Sequence, residues 1–334
     1  MSSRIDRQWQ IPRYSRRMLL VVGGFVAVKF LEGKIFWQEK EVAIAKDHPL
    51  WNSQVRIYTK SNYRYIVANG LPNHETGSFP NPRNPNSIKA QSYQFRVPAN
   101  PRIAERIAAR KLGRFGVAVN GVLFNPGAAE YWRGDRNWQY EALSGKIDLG
   151  MDANHAHVQP NGAYHYHGLP VGLVAKLGNG KEMLLIGYAA DGFPIYTPYG
   201  YSEPRNPRSP MRQIRSSYRL KKGKRDSGSG GRYDGTFFQD YEYVAGAGDL
   251  DECNGRFGVT PEYPKGIYHY YITQEFPFIS RYFRGTPDDS FRPQEGGQRP
   301  MGGQNRPRPG SMPPPPGFPP DRPPPPDRLP PFPR

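Results

Sequence analysis

The sequence predicts a mainly β fold, mixed β with minor helix: a single β-rich domain built from hairpins, flanked by an N-terminal export segment and a Pro-rich tail. Three observations predict it. Short runs of β-branched and aromatic residues alternate with polar ones, and Asn-Gly, Asp-Gly and Pro-Asn-Gly turns separate them. Glycine and proline each number 37, which suits many tight turns and few long helices. Both ends of the 334-residue chain differ in composition from the middle, so residues 46–291 form the expected domain, ample for one core.

Residues 1–17 are polar and basic and end in Ser15-Arg16-Arg17, and the apolar run Met18–Val28 follows. That run is shorter than the roughly 20 residues a bilayer-spanning helix needs, and it suits the apolar core of a signal peptide. Ser-Arg-Arg-Met-Leu-Leu resembles the twin-arginine export signal, with Arg16 and Arg17 as its pair. The nearest small-x-small sequence, Ala43-Ile44-Ala45, lies well downstream, so residues 1–45 are expected to act as a signal or as an uncleaved anchor. The expected location is extracytoplasmic, in the periplasm or at the cell surface. The expected partners are the export machinery and a membrane or cell-wall surface. A cytosolic protein with a basic amphipathic start is the competing reading.

Val55, Ile57 and Thr59 alternate with polar residues, as do Tyr63, Tyr65 and Val67, which predicts a β-meander; Ser92–Val97 reads as another strand. Residues 72–90, rich in Pro, Asn and Ser and containing His74, read as a loop. Asn100-Pro101, the Ile103–Arg110 pattern and Gly113 predict a helix. Phe115–Val119, Asn120-Gly121 and Val122–Phe124 predict a hairpin, and a short helix is expected over Trp138–Leu143. Glu182–Tyr188 reads as a core strand, and Asp191–Tyr196 as a turn leading to an edge strand because of Pro194. From Arg292 the chain is Pro, Gly and Arg with almost no aliphatic residues, so residues 292–334 are expected to be a disordered or polyproline II tail.

The net charge is +17, with residues 1–45 carrying eight basic against four acidic groups and residues 292–334 seven against three. The remaining excess is spread out, and its densest run, Lys221-Lys222-Gly223-Lys224-Arg225, reads as a solvated loop. No nucleic-acid partner is expected, because no basic face with aromatic or helical presentation stands out. The single cysteine, Cys253, forbids an internal disulfide and reads as a small buried residue.

The chemistry concentrates in residues 152–170, which hold four of the seven histidines. His155 and His157 are two apart, as are His165 and His167, and side chains at i and i+2 of a strand share a face. Pro160-Asn161-Gly162 suits a three-residue hairpin loop, which sets His157 against His165 and His155 against His167. All four imidazoles then converge; a two-residue Asn-Gly loop would instead split the pairs between faces. Crowded imidazoles need a shared proton, a carboxylate or a metal ion, and the histidine-rich, thiolate-poor set points to copper, zinc or iron. Asp152 is the expected carboxylate orienting a ligand, with Tyr164 and Tyr166 in support. Metal binding is expected to weaken below about pH 6 to 6.5, where free imidazoles protonate. The competing reading is a strand of ordinary histidines, hydrogen-bonded in a polar cleft. Gly162–His167 is echoed by Gly266–Tyr271, so His269 is a candidate fifth imidazole if the two segments are neighbouring strands.

Tyr164-His165-Tyr166-His167 resembles the signature of the YHYH domain family. Residues 116–129 (G-V-A-V-N-G-V-L-F-N-P-G-A-A), 191–196 (D-G-F-P-I-Y) and 249–264 (D-L-D-E-C-N-G-R-F-G-V-T-P-E-Y-P) extend the resemblance across 115–285. The resemblance implies a domain of exported or surface proteins and leaves the activity open. Two function classes follow: an exported metal-binding protein, or a non-catalytic surface module binding carbohydrate or protein through an aromatic face. No G-x-S-x-G, H-E-x-x-H or phosphate-loop motif is present, so the sequence assigns no familiar hydrolase chemistry.

Overall fold

Turn chemistry lays out the strands of the structure, a computed structural model that describes residues 52–109 and 113–292. The N-terminal segment expected to direct export, with Arg16 and Arg17, and residues 293–334 of the Pro-rich tail lie outside the described residues. β1 (Val55–Lys60), β2 (Tyr63–Ala68) and β3 (Tyr93–Pro98) form an antiparallel meander in that order. Period-2 patterning puts Ile66, Phe95 and Val97 in the core, while the opposite face shows Tyr58 stacked on Tyr65 at 5.3 Å.

The helix expected over 103–110 does not form in the described residues 103–109. The segment instead hydrogen-bonds along residues 282–284: β4 (Ala108–Ala109) pairs with β17 (Tyr282–Phe283), and Ala104 N–H donates to Arg284 O. A helix this short is marginal in water by itself, and pairing with 282–284 packs Ile107 and Ala108 against the core while Ile103 stays 48% exposed, so the strand prevails. The short helix at 138–143 is also absent, because loop 236–239 takes its backbone groups: Glu141 N–H donates to Thr236 O, and Gln139 N–H to Gln239 Oε1.

The hairpin through Asn120-Gly121 forms as β5 (Gly116–Ala118) and β6 (Leu123–Phe124), with Gly121 at φ +84°. β7 (Ala156–Val158) and β8 (Tyr164–Tyr166) follow, then α1 (Val171–Leu177), whose Leu173 and Val174 are buried. β9 (Leu185–Ala189) and β10 (Pro194–Tyr196) form another tight hairpin, and β15 (Gly255–Gly258) pairs antiparallel with β16 (Ile267–Tyr271). Between them lie two ribbons, β11 (Tyr199–Tyr201) with β12 (Met211–Gln213) and β13 (Tyr218–Leu220) with β14 (Tyr241–Tyr243).

One eight-stranded sheet organises the domain, in the order β15-β16-β10-β9-β5-β6-β8-β7, antiparallel except for β16/β10 and β6/β8. β10 is therefore internal and not an edge strand. Pro194 is its first residue, where the missing N–H interrupts no ladder on the β16 side, whose pairing starts at Ile195. The core is rich in tyrosine: Tyr164, Tyr166, Tyr196 and Tyr270 are fully buried, each with its hydroxyl hydrogen-bonded, as an amphipathic ring requires in an apolar interior. Arg225 corrects the solvated-loop expectation, since its side chain is 5% exposed and binds the fully buried Asp240 at 2.6 Å.

Candidate functional site

The loop at Pro160-Asn161-Gly162 has three residues, with Gly162 at φ +87° and its N–H donating to Gln159 O. This sets Ala156 against Tyr166, His157 against His165 and Val158 against Tyr164. His165 and His167 therefore project to one face of β8, and Tyr164 and Tyr166 to the other.

Three imidazoles meet. His167 Nε2 lies 3.1 Å from His157 Nε2 and 2.9 Å from His165 Nε2. The three candidate ligand atoms all fall within 4.8 Å of one another, so His157, His165 and His167 could hold a metal ion. His165 and His167 are buried, while His157 is half-buried and forms the solvent side.

His155 and His269 stand apart from this group. Asp152–Ala156 makes a tight turn before β7, closed by His155 N–H to Asp152 O, which puts His155 at φ +52°. Its backbone still receives His167 N–H, but its ring turns away and its Nδ1 pairs with Leu169 O at 2.8 Å. The i, i+2 rule fails there because His155 is not in extended conformation. His269 lies on β16, separated from β8 by β10, β9, β5 and β6. The echo of β8 in β16 does not mark neighbouring strands.

Asp152 also takes a different place from that expected. Its carboxylate accepts from Tyr164 Oη at 2.6 Å, Gly77 N at 3.0 Å and Asn154 N at 2.8 Å, and orients no imidazole directly. Backbone carbonyls do that instead: Nδ1 of His157 faces Leu149 O at 3.0 Å and Nδ1 of His165 faces Ala163 O at 3.2 Å. Tyr166 donates to His74 Nε2 at 2.6 Å and accepts from Asn120 Nδ2 at 2.9 Å. His74 carried no signal in the sequence, being an isolated histidine in a Pro- and Asn-rich loop. Its role emerges only when that loop folds beneath the tyrosine face.

The carbonyls fix the tautomers. A carbonyl only accepts, so Nδ1 of His157 and of His165 carries the proton and each Nε2 is a bare lone pair aimed inward. His167 Nδ1 is buried without a hydrogen-bond partner, which fits a proton on its Nε2 shared between those two lone pairs. Three inward nitrogens thus share one proton. Burial opposes a second: it lowers the pKa of His157, and it takes His165 down to about 3 and His167 well below the free value, with the neighbouring imidazoles adding to the last two. Arg281 adds to the depression at His167. It is buried with Glu141, its ion-pair partner.

Burial likewise lowers His269 to about 3. A folded-state pKa below the unfolded value near 6.5 means that the unfolded chain takes the proton first, so stability is complete above about pH 6.5 and falls as pH drops toward 3. Each such group contributes a slope of about 1.4 kcal/mol per pH unit in that window. Denaturant unfolding of metal-free protein between pH 7 and 5 should show this loss, and His269→Gln should make the slope shallower by one group. An equal slope in that variant would mean that His269 titrates normally when folded.

Fold and site define a class: a mainly β protein in which a three-residue hairpin presents histidines on one face and buried, hydrogen-bonded tyrosines on the other. The family model described as YHYH protein matches residues 94–285, more than half of the chain, and the chain belongs to that family. The match begins in β3, earlier than the resemblance from residue 115. No curated protein and no solved structure matches the chain.

Proposed function

We propose that this YHYH protein is an exported or membrane-anchored protein that binds one divalent transition-metal ion through Nε2 of His157, His165 and His167. The observation that carries the proposal is the lone-pair excess: carbonyl-fixed tautomers aim two bare nitrogens at a third in a site whose burial refuses further protons. A cation relieves this where a proton does not. An all-imidazole set suits zinc, copper or iron, and three protein ligands leave a position for water or another ligand on the half-buried His157 side. Binding requires His167 to change tautomer, its proton moving from Nε2 to Nδ1 so that Nε2 presents a lone pair. The depressed pKa values also move proton competition below the pH 6 to 6.5 expected for free imidazoles, so the site should retain metal into mildly acidic solution.

Elemental analysis of protein purified from its native host, with zinc(II) and copper(II) titration of the stripped protein, tests the reading. About one equivalent with a chelator-sensitive thermal midpoint supports it; no metal and no affinity at micromolar concentration overturns it. Export rests on Arg16-Arg17 before the apolar run, and Lys substituted at both positions should leave the protein in the cytoplasm. Unchanged export would dismiss the twin-arginine route. A second reading, a surface module binding carbohydrate, is favoured by the outer face of β1–β3, where Tyr58 and Tyr65 stack and Arg96 lies 4.6 Å over the half-exposed Tyr63 ring.

A further inference from the structure

The order of the eight-stranded sheet is the same pattern from either end: an outer hairpin, then a parallel neighbour, then that neighbour's own hairpin partner. At the centre, β5 and β9 meet antiparallel through a symmetric pair of bonds, Val119 N–H to Ile186 O and Ala190 N–H to Phe115 O, both 2.9 Å. Outward from that axis each half repeats the other. The Asn120-Gly121 turn matches Asp191-Gly192, with Gly121 N–H to Ala118 O at 2.8 Å and Gly192 N–H to Ala189 O at 2.9 Å. Asn120 binds the hydroxyl of Tyr166, and Asp191 binds that of Tyr270.

The outer hairpins correspond in still finer detail. Asp152 and Asp251 each close a turn through a backbone bond of 2.9 Å, to Ala156 O and Gly255 O. His155 and Asn254 occupy the same left-handed position at φ +52° and +55°. Tyr164 donates to Asp152, and Tyr268 to Asp251. These bonds map residues 152–158 onto 251–257 and 164–167 onto 268–271. The counterparts of His157, His165 and His167 are therefore Arg256, His269 and Tyr271.

The counterpart cluster keeps the geometry and changes the chemistry. His165 Nε2 to His167 Nε2 is 2.9 Å, and His269 Nε2 to Tyr271 Oη is 2.9 Å. His157 Nε2 to His167 Nε2 is 3.1 Å, and Arg256 Nη2 to Tyr271 Oη is 3.2 Å. Nδ1 of His269 faces Ile267 O, two residues back, as Nδ1 of His165 faces Ala163 O. His269 Nε2 is therefore also a bare lone pair aimed inward. There Tyr271 donates to it, and Arg256 supplies the positive charge, its guanidinium 5.4 Å from the Tyr271 ring.

We infer that the eight-stranded sheet consists of two structurally equivalent halves, and that the second carries a latent metal-type site, Arg256/His269/Tyr271, whose cation is the chain's own guanidinium. Arg256→His with Tyr271→His therefore turns it into a second binding site for a divalent transition metal. The inference takes its metal chemistry from the reading of the first triad given above, and the geometric equivalence stands without it.

Cobalt(II), followed by visible absorption and elemental analysis after dialysis, is the probe. Wild type is expected to hold about one equivalent, and the Arg256→His/Tyr271→His variant about two. In a background with His157→Ala and His165→Ala, the same two changes should raise cobalt from none to about one. A folded variant that gains no cobalt in either background overturns the inference. Wild type binding none while the converted variant binds one would refute the proposed function and leave the latent site standing. Should the converted variant not fold, Arg256→Ala takes over the test, since Arg256 is half-buried on an edge strand. Millimolar methylguanidinium should raise its thermal midpoint by several degrees where methylammonium at the same ionic strength does not. Equal midpoints with both additives would then overturn the inference.

Discussion

Replacing His157 and His165 together by Ala should abolish metal binding and, with it, the stabilisation that metal confers. A ligand that binds only the folded state at 100 times its dissociation constant adds about 2.7 kcal/mol. For a domain of this size that corresponds to roughly 5 to 10 °C in thermal midpoint. Wild-type protein should lose this increment on chelation, and the double variant should have none to lose. The two residues are the cross-strand pair His157↔His165, so the change removes both carbonyl-oriented lone pairs and leaves only His167, which cannot hold the ion alone. If the variant carries as much metal as wild type, with equal sensitivity to chelator, the ion sits elsewhere.

The second large effect concerns Glu141 and Arg281, whose side chains are 1% and 5% exposed. Arg281→Met should destabilise the domain by about 3–5 kcal/mol, because it leaves a carboxylate uncompensated in the interior. Glu141→Leu added to it should recover most of the loss, since two apolar side chains remove both desolvation penalties. Burial already pushes the Glu141 carboxyl up, and Arg281 is the main opposing influence. Urea unfolding of the two single variants and the double variant checks this through the coupling energy. Additive losses would mean that the pair is not coupled. Cobalt affinity in the folded double variant then separates support of the fold from any influence of the guanidinium on His167.

Local patterns legible in one dimension came through. The alternation of β1–β3, the Asn-Gly turns and the Pro160-Asn161-Gly162 loop all rest on backbone preferences acting within a few residues, so the register His157↔His165 could be written down from the sequence. Three of the four expected hairpin histidines converge for the same reason. His155 departs because the side chain of Asp152 accepts Asn154 N–H and tightens a turn that bends the chain out of the extended region just before β7. Residues 103–109 carry helix signals, but a helix that short is marginal alone, and residues 282–284 offer them backbone partners instead.

By itself the sequence determined the hairpins, the side of β8 on which histidines and tyrosines fall, and the compositional ends of the chain, because period, turn type and composition are local properties. Only the tertiary structure decided that β8 and β16 lie in opposite halves of one sheet, each next to an edge strand, that β10 is internal despite Pro194, and that His74 supports Tyr166. The physical reason is that parallel pairings such as β6 with β8 and β10 with β16 join segments far apart in the chain. No local preference encodes such a pairing; it forms when burying the tyrosine-rich core offsets the entropy of closing the loops between.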